Sequence, residues 1–248
     1  MVWYAIKRIK PLILARERQA TAVTPTELRD RLVRLIYPSR CVICHRLLPA
    51  DASEDSICPH CIQGMPRVAP GKFRVLRNSV ALCWSPLYYR NEVEASIRRF
   101  KFYGRAHYHK VYGILLRTYM EELALPLPDV VTWAPLSRKR LRRRGYDQAR
   151  LLAEEVALFF GQTALPLLRK VRHTRPQSSL SAQQRWRNAK DAYACMEGLD
   201  LTGKRVLLVD DIVTTGATLD HCALELIKAG AAEIACLTLA RASSEQKN

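Results

Sequence analysis

Short unbroken apolar runs alternate along the chain with segments whose apolar residues recur every three to four positions. The runs read as buried strands and the spaced segments as amphipathic helices. Val206–Val209 is the clearest run, and behind it Leu219, Ala223, Leu226 and Ile227 recur at helical spacing. Asp129–Ala134, Leu165–Val171, Ala192–Met196 and Ile234–Leu239 are further strand candidates, and Val80–Tyr89 is strand-rich with a break at Pro86. Between them, Glu92–Phe102 places Val93, Ile97 and Phe100 on one helical face, and Tyr108–Met120 is a second amphipathic helix. Gly145-Tyr146-Asp147-Gln148 leads into a helix carrying Leu151, Leu152, Glu155 and Phe159. Thr24-Pro25-Thr26-Glu27 is a helix start, with Thr24 as cap, Pro25 at the first helical position and Glu27 closing a capping box. Leu28, Leu32, Leu35 and Ile36 form its apolar face, and Pro38 stops it. Arg172–Asn188 breaks the alternation as a long polar, arginine-rich stretch, which predicts a mobile functional loop. At 248 residues the chain suits one α/β domain with a small appendage.

The chemistry concentrates where the clearest strand ends. Asp210 and Asp211 follow Val209, and the hydroxyl-rich loop Thr214-Thr215-Gly216-Ala217-Thr218 leads into the next helix. In an open parallel sheet ligands sit beyond the carboxyl ends of the strands. A loop entering a helix points free N–H groups at an anion, and the helix dipole favours negative charge there. Gly216 lets the backbone approach closely, and the threonine hydroxyls add donors. Two carboxylates accept hydrogen bonds from a vicinal diol. A ligand with both a phosphate and a ribose diol satisfies every part. The bland alternative is a strand–helix turn whose aspartates only cap the helix.

Four of the eight cysteines lie at Cys41-x2-Cys44-x13-Cys58-x2-Cys61. Two such pairs across a short polar loop can converge tetrahedrally on zinc. Three rival readings fit less of the pattern. CVICH matches a haem attachment motif but leaves the second pair unexplained. CPHC has the form of a redox dithiol but lacks a surrounding strand–helix pattern. Two disulfides would need an oxidising compartment. His45 and His60 adjoin the candidate ligands and could substitute for one. Cys222 and Cys236 sit in apolar patterns and read as core thiols.

Composition changes the picture mainly through charge. The net charge is +17 and the pI near 9.9, which implies polyanionic ligands. Arg138–Arg144 carries six basic residues in seven positions. They cannot all reach one small ligand, so most face solvent or a longer polyanion. Trp133, Tyr146 and Trp186 lie near basic residues and could stack bases, although Trp133 sits in a buried strand. No apolar run reaches the ~18 residues of a membrane span. Pro11–Ala15 is too short for a signal peptide's apolar region. A cytoplasmic protein is expected.

VLLVDDIVTTGATL resembles the phosphoribosyl-pyrophosphate (PRPP) signature of type I phosphoribosyltransferases. CVIC…CPHC, IRRFKFYG, APLSRKRLRRRGYDQARLLAE and RPQSSLS…RWRN narrow the resemblance to the ComF/GntX family, which is linked to competence and DNA uptake. The resemblance implies a type I phosphoribosyltransferase-like parallel sheet flanked by helices, with a small N-terminal zinc module. It divides the chain into a basic tail (1–23), a helix with the four-cysteine module (24–66) and a phosphoribosyltransferase-like domain (67–248). It assigns Asp210, Asp211 and Lys101 to the reacting centre and Val213, Thr214, Thr215, Gly216, Ala217 and Thr218 to the 5′-phosphate. Leu136, Ser137 and Arg138 fall at the pyrophosphate loop. Lys139, Arg140, Arg142, Arg143, Arg144, Tyr146, Arg175 and Gln177 are the candidates for contact with nucleic acid or another polyanion. Where the family usually shows Asn, this chain has Asp147, which suits either a base contact or a salt bridge to the arginine run. Implied cofactors are structural zinc and Mg²⁺ bound with PRPP. Implied partners are PRPP or ribose 5-phosphate, single-stranded DNA, and other competence proteins such as a DNA-translocating helicase. Three functions fit: single-stranded DNA handling in uptake or utilisation, transfer of a phosphoribosyl group to a base or amine, and PRPP sensing without turnover.

Overall fold

A computed structural model describes residues 38–49, 52, 56–71, 79, 81–172 and 181–242. The expected helix near Thr24–Ile36, the basic tail, and Arg175 and Gln177 lie outside the described residues. In chain order the elements are α1 (Pro59–Gly64), β1 (Leu82–Trp84), β2 (Leu87–Tyr88), α2 (Asn91–Phe102), α3 (Tyr108–Leu123), β3 (Val130–Trp133) and α4 (Arg138–Arg144). There follow α5 (Gln148–Phe159), β4 (Leu168–Lys170), α6 (Ala182–Ala189), β5 (Tyr193–Cys195), β6 (Arg205–Val213), α7 (Ala217–Lys228) and β7 (Glu233–Arg241).

Among the described residues the main sheet runs β1-β7-β6-β3, and every pairing in it is parallel. β2 continues the β1 edge along β7 after the break at Ser85-Pro86. Alternate residues of a strand face opposite sides of a sheet, and β6 shows the result. Leu207 and Val209 enter a core with α2, α3 and α5, while Val206 and Leu208 enter a second core with α7, β4 and β5. The α/β reading and the helix-flanked parallel sheet therefore stand. α3 and α5 approach closely at Gly113, where an added Cβ would lie 2.6 Å from the Glu155 Cβ.

Three expectations change. β6 does not stop at Val209; it pairs with β7 through Asp210↔Thr238 and on to Val213↔Arg241. Backbone pairing to a parallel neighbour carries the strand through two carboxylates that propensity disfavours. Arg138 is not in a loop: Arg138–Arg144 is a helix, capped by the Ser137 hydroxyl and closed by Gly145 in the left-handed region at φ 83°. The polar stretch 172–188 is not all loop either. Ser181 and Gln184 make a reciprocal capping box that starts α6. β4 and β5 pair antiparallel as a small separate hairpin-like sheet, with Lys170 opposite Tyr193.

Candidate functional site

The acid pair sits where β6 passes the carboxyl end of β3. The Asp211 side chain is buried and its Oδ1 lies 2.9 Å from Lys101 Nζ, at the end of α2. Both partners are largely covered, so water screens this pair weakly. Asp210 Oδ1 accepts the Asp211 backbone N–H at 2.8 Å. Burial pushes the Asp210 acid well above the usual range, the Asp211 charge adds to that, and Lys101 opposes it. Carboxyl groups so placed favour a hydroxyl donor or a positive centre beside them.

Beyond Val213 the chain turns through exposed Thr214 and half-buried Thr215 to Gly216 at φ 78°. That conformation is strained for any residue with a Cβ. Gly216 starts α7 without a side-chain cap, and a helix start of this kind aims its first N–H groups outward along the axis. Within the loop the Ala217 N–H reaches Thr215 Oγ1 at a long 3.5 Å.

The facing loop is fixed by Asp147. One carboxylate oxygen accepts the Leu136 N–H at 3.0 Å, and the other accepts the Ala149 and Arg150 N–H groups at the start of α5. Asp147 is therefore a cap and a tether for Pro135-Leu136-Ser137. Neither role proposed from sequence, a base contact or a salt bridge to the arginine run, is needed to account for its bonds. Asp147→Ala is expected to cost about 1–2 kcal/mol, lowering Tm by roughly 2–8 °C for a domain of this size. Asp147→Asn, which keeps one acceptor oxygen, should lose less. A thermal melt checks both, and an unchanged Tm in the alanine variant would refute the tether.

The basic run divides by face. Arg138, Lys139, Arg142 and Arg143 are exposed, whereas Arg140 and Arg144 turn inward. Arg144 feels the charges of Asp211 and Asp147, donates to Gln148 Oε1 at 2.8 Å and stacks over Phe102 at 4.8 Å. Tyr146 donates its hydroxyl to the Phe100 carbonyl, which ties the α4–α5 corner to α2 and spends that hydroxyl on the scaffold. Trp133 lies under the Arg150 guanidinium at 5.9 Å, and Trp186 packs near His221.

Lys170 and Tyr193 had no sequence signal. Lys170 Nζ donates to the Tyr193 hydroxyl at 2.9 Å, and that phenol interacts in turn with Thr218. Burial, then the Arg140 charge, lower Lys170 to about 8. The pair comes from two strands separated in sequence, so only their antiparallel pairing brings it beside Thr218.

The four cysteines converge as their spacing predicts. Their sulfurs all lie within 4.8 Å of one another, and Cys44 and Cys58 are 3.7 Å apart. Tetrahedral Zn–S bonds of ~2.3 Å place sulfurs roughly 3.8 Å apart, so this donor set fits zinc. Cys41 and Cys61 are buried, and burial pushes both thiols up. Closely spaced thiolates need a cation to coexist. His45 and His60 are not in the cluster among the described residues. The first pair sits on a tight turn gripped by α2. Ser96 Oγ donates to the Val42 carbonyl, and Arg99 donates to the Ile43 carbonyl at 2.5 Å.

Comparison with known proteins bears on these sites. Residues 141–248 match the phosphoribosyl transferase domain. The chain is 34% identical over 161 residues to competence protein F of Haemophilus influenzae, covering 62% of this chain and 70% of that protein. It is 32% identical over 219 residues to DNA utilization protein YhgH of Salmonella typhi, covering 81% and 89% respectively. Competence protein ComFC of Bacillus subtilis is 29% identical over 157 residues, covering 62% and 61%. Identity of this level along nearly the whole of a relative leaves one conclusion: the chain belongs to the ComF family of proteins with a phosphoribosyltransferase domain.

Proposed function

We propose that this chain binds PRPP or a related ribose phosphate and handles single-stranded DNA during DNA uptake or utilisation, in the cytoplasm. The relatives' names support the DNA role. The observation that carries the reading is the division of α4. Its exposed face offers Arg138, Lys139, Arg142 and Arg143 to a long polyanion, while Arg144 on its other side packs on Phe102 and bonds Gln148, within reach of the Asp211 charge. One short helix thus borders a sugar-phosphate pocket and an open basic strip.

In this reading Asp210 and Asp211 accept the ribose hydroxyls, and residues Val213 to Thr218 hold the 5′-phosphate. Leu136, Ser137 and Arg138 border the pyrophosphate position. Bound Mg²⁺ would neutralise pyrophosphate charge, held mostly by ligand oxygens and water. Zinc in the four-cysteine cluster would be structural, since all four ligands are protein thiolates and no open position is left.

Binding of a short oligo-dT should weaken steeply with salt. Each phosphate contact on a single strand contributes about −0.7 to the slope of log K against log salt. Removing Arg142 and Arg143 together should flatten the slope by about 1.4. Fluorescence anisotropy at several salt concentrations measures this, and a slope unchanged in the double variant would remove α4 from the interface.

A second reading is favoured by the acid pair itself. The Asp211 carboxylate, placed beneath a ribose, would stabilise the oxocarbenium-like state formed when the anomeric C–O bond breaks and pyrophosphate leaves. The phosphoribosyl group would then pass to a base or amine. Isotope-labelled PRPP incubated with bases and DNA separates the readings: consumption supports transfer, and binding without consumption supports a sensor or a purely structural ligand.

A further inference from the structure

Among the described residues, the aromatic side chains left more than half open to solvent are Phe102 and Tyr103, at 53% and 68%. They are neighbours in sequence at the end of α2. Lys101, just before them, turns the other way to meet Asp211. Gly104 follows in the left-handed region at φ 67°, just past the end of the helix, and both rings stand open beside the residue that meets Asp211.

The surroundings give these rings a chemical preference. Arg144, in the last turn of α4, already lays its planar guanidinium 4.8 Å from the Phe102 centroid. Its bond to Gln148 holds that position. Phe102 nevertheless stays half open, and Tyr103 more so. An exposed aromatic pair packed on α4 through Arg144, the helix that also carries exposed Arg138, Lys139, Arg142 and Arg143, brings together the two requirements of single-strand binding: cations for the backbone and flat apolar faces for the bases. Trp133 and Tyr146, the aromatics the sequence favoured, are partly buried and engaged elsewhere.

We infer that Phe102 and Tyr103 form a stacking platform for the bases of single-stranded nucleic acid whose phosphates lie along the exposed face of α4. This inference rests on the DNA-binding reading above. Every base has a π-face, so such a platform binds without sequence preference.

The test measures binding of two probes, a short oligo-dT and an abasic sugar-phosphate oligomer of the same length. Phe102→Ala with Tyr103→Ala should weaken oligo-dT by about tenfold. The same double variant should leave abasic binding and the salt slope unchanged, and Tyr103→Phe should bind as the parent does. Equal losses for both probes, or no loss for either, overturn the platform while leaving the DNA reading intact. A parent protein that binds neither probe overturns the DNA reading and the platform with it. Thymidine monophosphate bound as tightly as oligo-dT would make this a free-nucleotide site and overturn the strand assignment. Both side chains are exposed, so folding of the variants is readily confirmed by thermal melt.

Discussion

Asp211→Asn is expected to weaken PRPP binding by roughly ten- to a hundredfold, the loss that accompanies removal of a charged hydrogen-bond acceptor. Asp211 is buried, and its 2.9 Å pair with Lys101 fixes where its oxygens point. The asparagine keeps the volume but replaces one acceptor oxygen by a donor. It also frees the Lys101 ammonium, which can then turn toward phosphate. Pyrophosphate alone should therefore bind the variant as well as it binds the parent, or better. Titration calorimetry with PRPP–Mg²⁺ and with pyrophosphate–Mg²⁺ separates the two effects. Equal affinity of parent and variant for PRPP would refute the assignment of the acid pair to the ribose. Equal loss for both ligands would place Asp211 at the pyrophosphate instead.

Loss of metal from the four-cysteine cluster should have the largest effect on stability. The turn that bears Cys41 and Cys44 is not a separate bead on the chain. Val42, Ile43, Ile57, Cys61 and Ile62 enter the same core as Val93, Ile97 and Phe100 of α2. Structural zinc sites contribute folding energy directly. Losing a conservative ~3–5 kcal/mol of it would lower Tm by roughly 6–20 °C. Metal analysis should find about one zinc per chain, the expected stoichiometry for four convergent thiolates. Cys58→Ser should reproduce the effect of chelation. The Tm of chelated protein matching that of untreated protein would refute a structural role for the metal. PRPP affinity should fall together with Tm, because α2 carries both Arg99, which grips the turn, and Lys101, which meets Asp211.

Much of the architecture was legible because it is written in local periodicity. β6 and β3 are apolar runs buried on both faces, and α2 begins and ends within one residue of the span read from Val93, Ile97 and Phe100. The cysteine cluster was legible for the same reason, since its four members lie close in sequence. What escaped depends on partners far along the chain or on a cap that was overlooked. The extension of β6 through Asp210 and Asp211 exists because β7 continues beside it. Lys170 reaches Tyr193 only through the antiparallel pairing of β4 and β5. The helix within 182–189 did have a local signal, Ser181 followed by Gln184, but the density of arginines obscured it. Asp147 suited either a base contact or a salt bridge in the sequence, yet its oxygens are taken by three backbone N–H groups. The nucleic-acid aromatics were sought in strands and loops, whereas the open rings are on the last turn of a helix.

The way α2 clasps the cysteine turn has a redox consequence. Cys83, Cys222 and Cys236 have no exposed surface, and burial raises their thiols, Cys83 to about 12. Buried, protonated thiols react slowly with peroxide or alkylating agents. Cys44 and Cys58, by contrast, reach the surface. Oxidation that removes either from a bound metal would loosen the carbonyls held by Ser96 and Arg99, and α2 would transmit that loosening to Lys101. The Lys101–Asp211 pair is thus tied, through α2, to a segment whose thiols oxidation can reach.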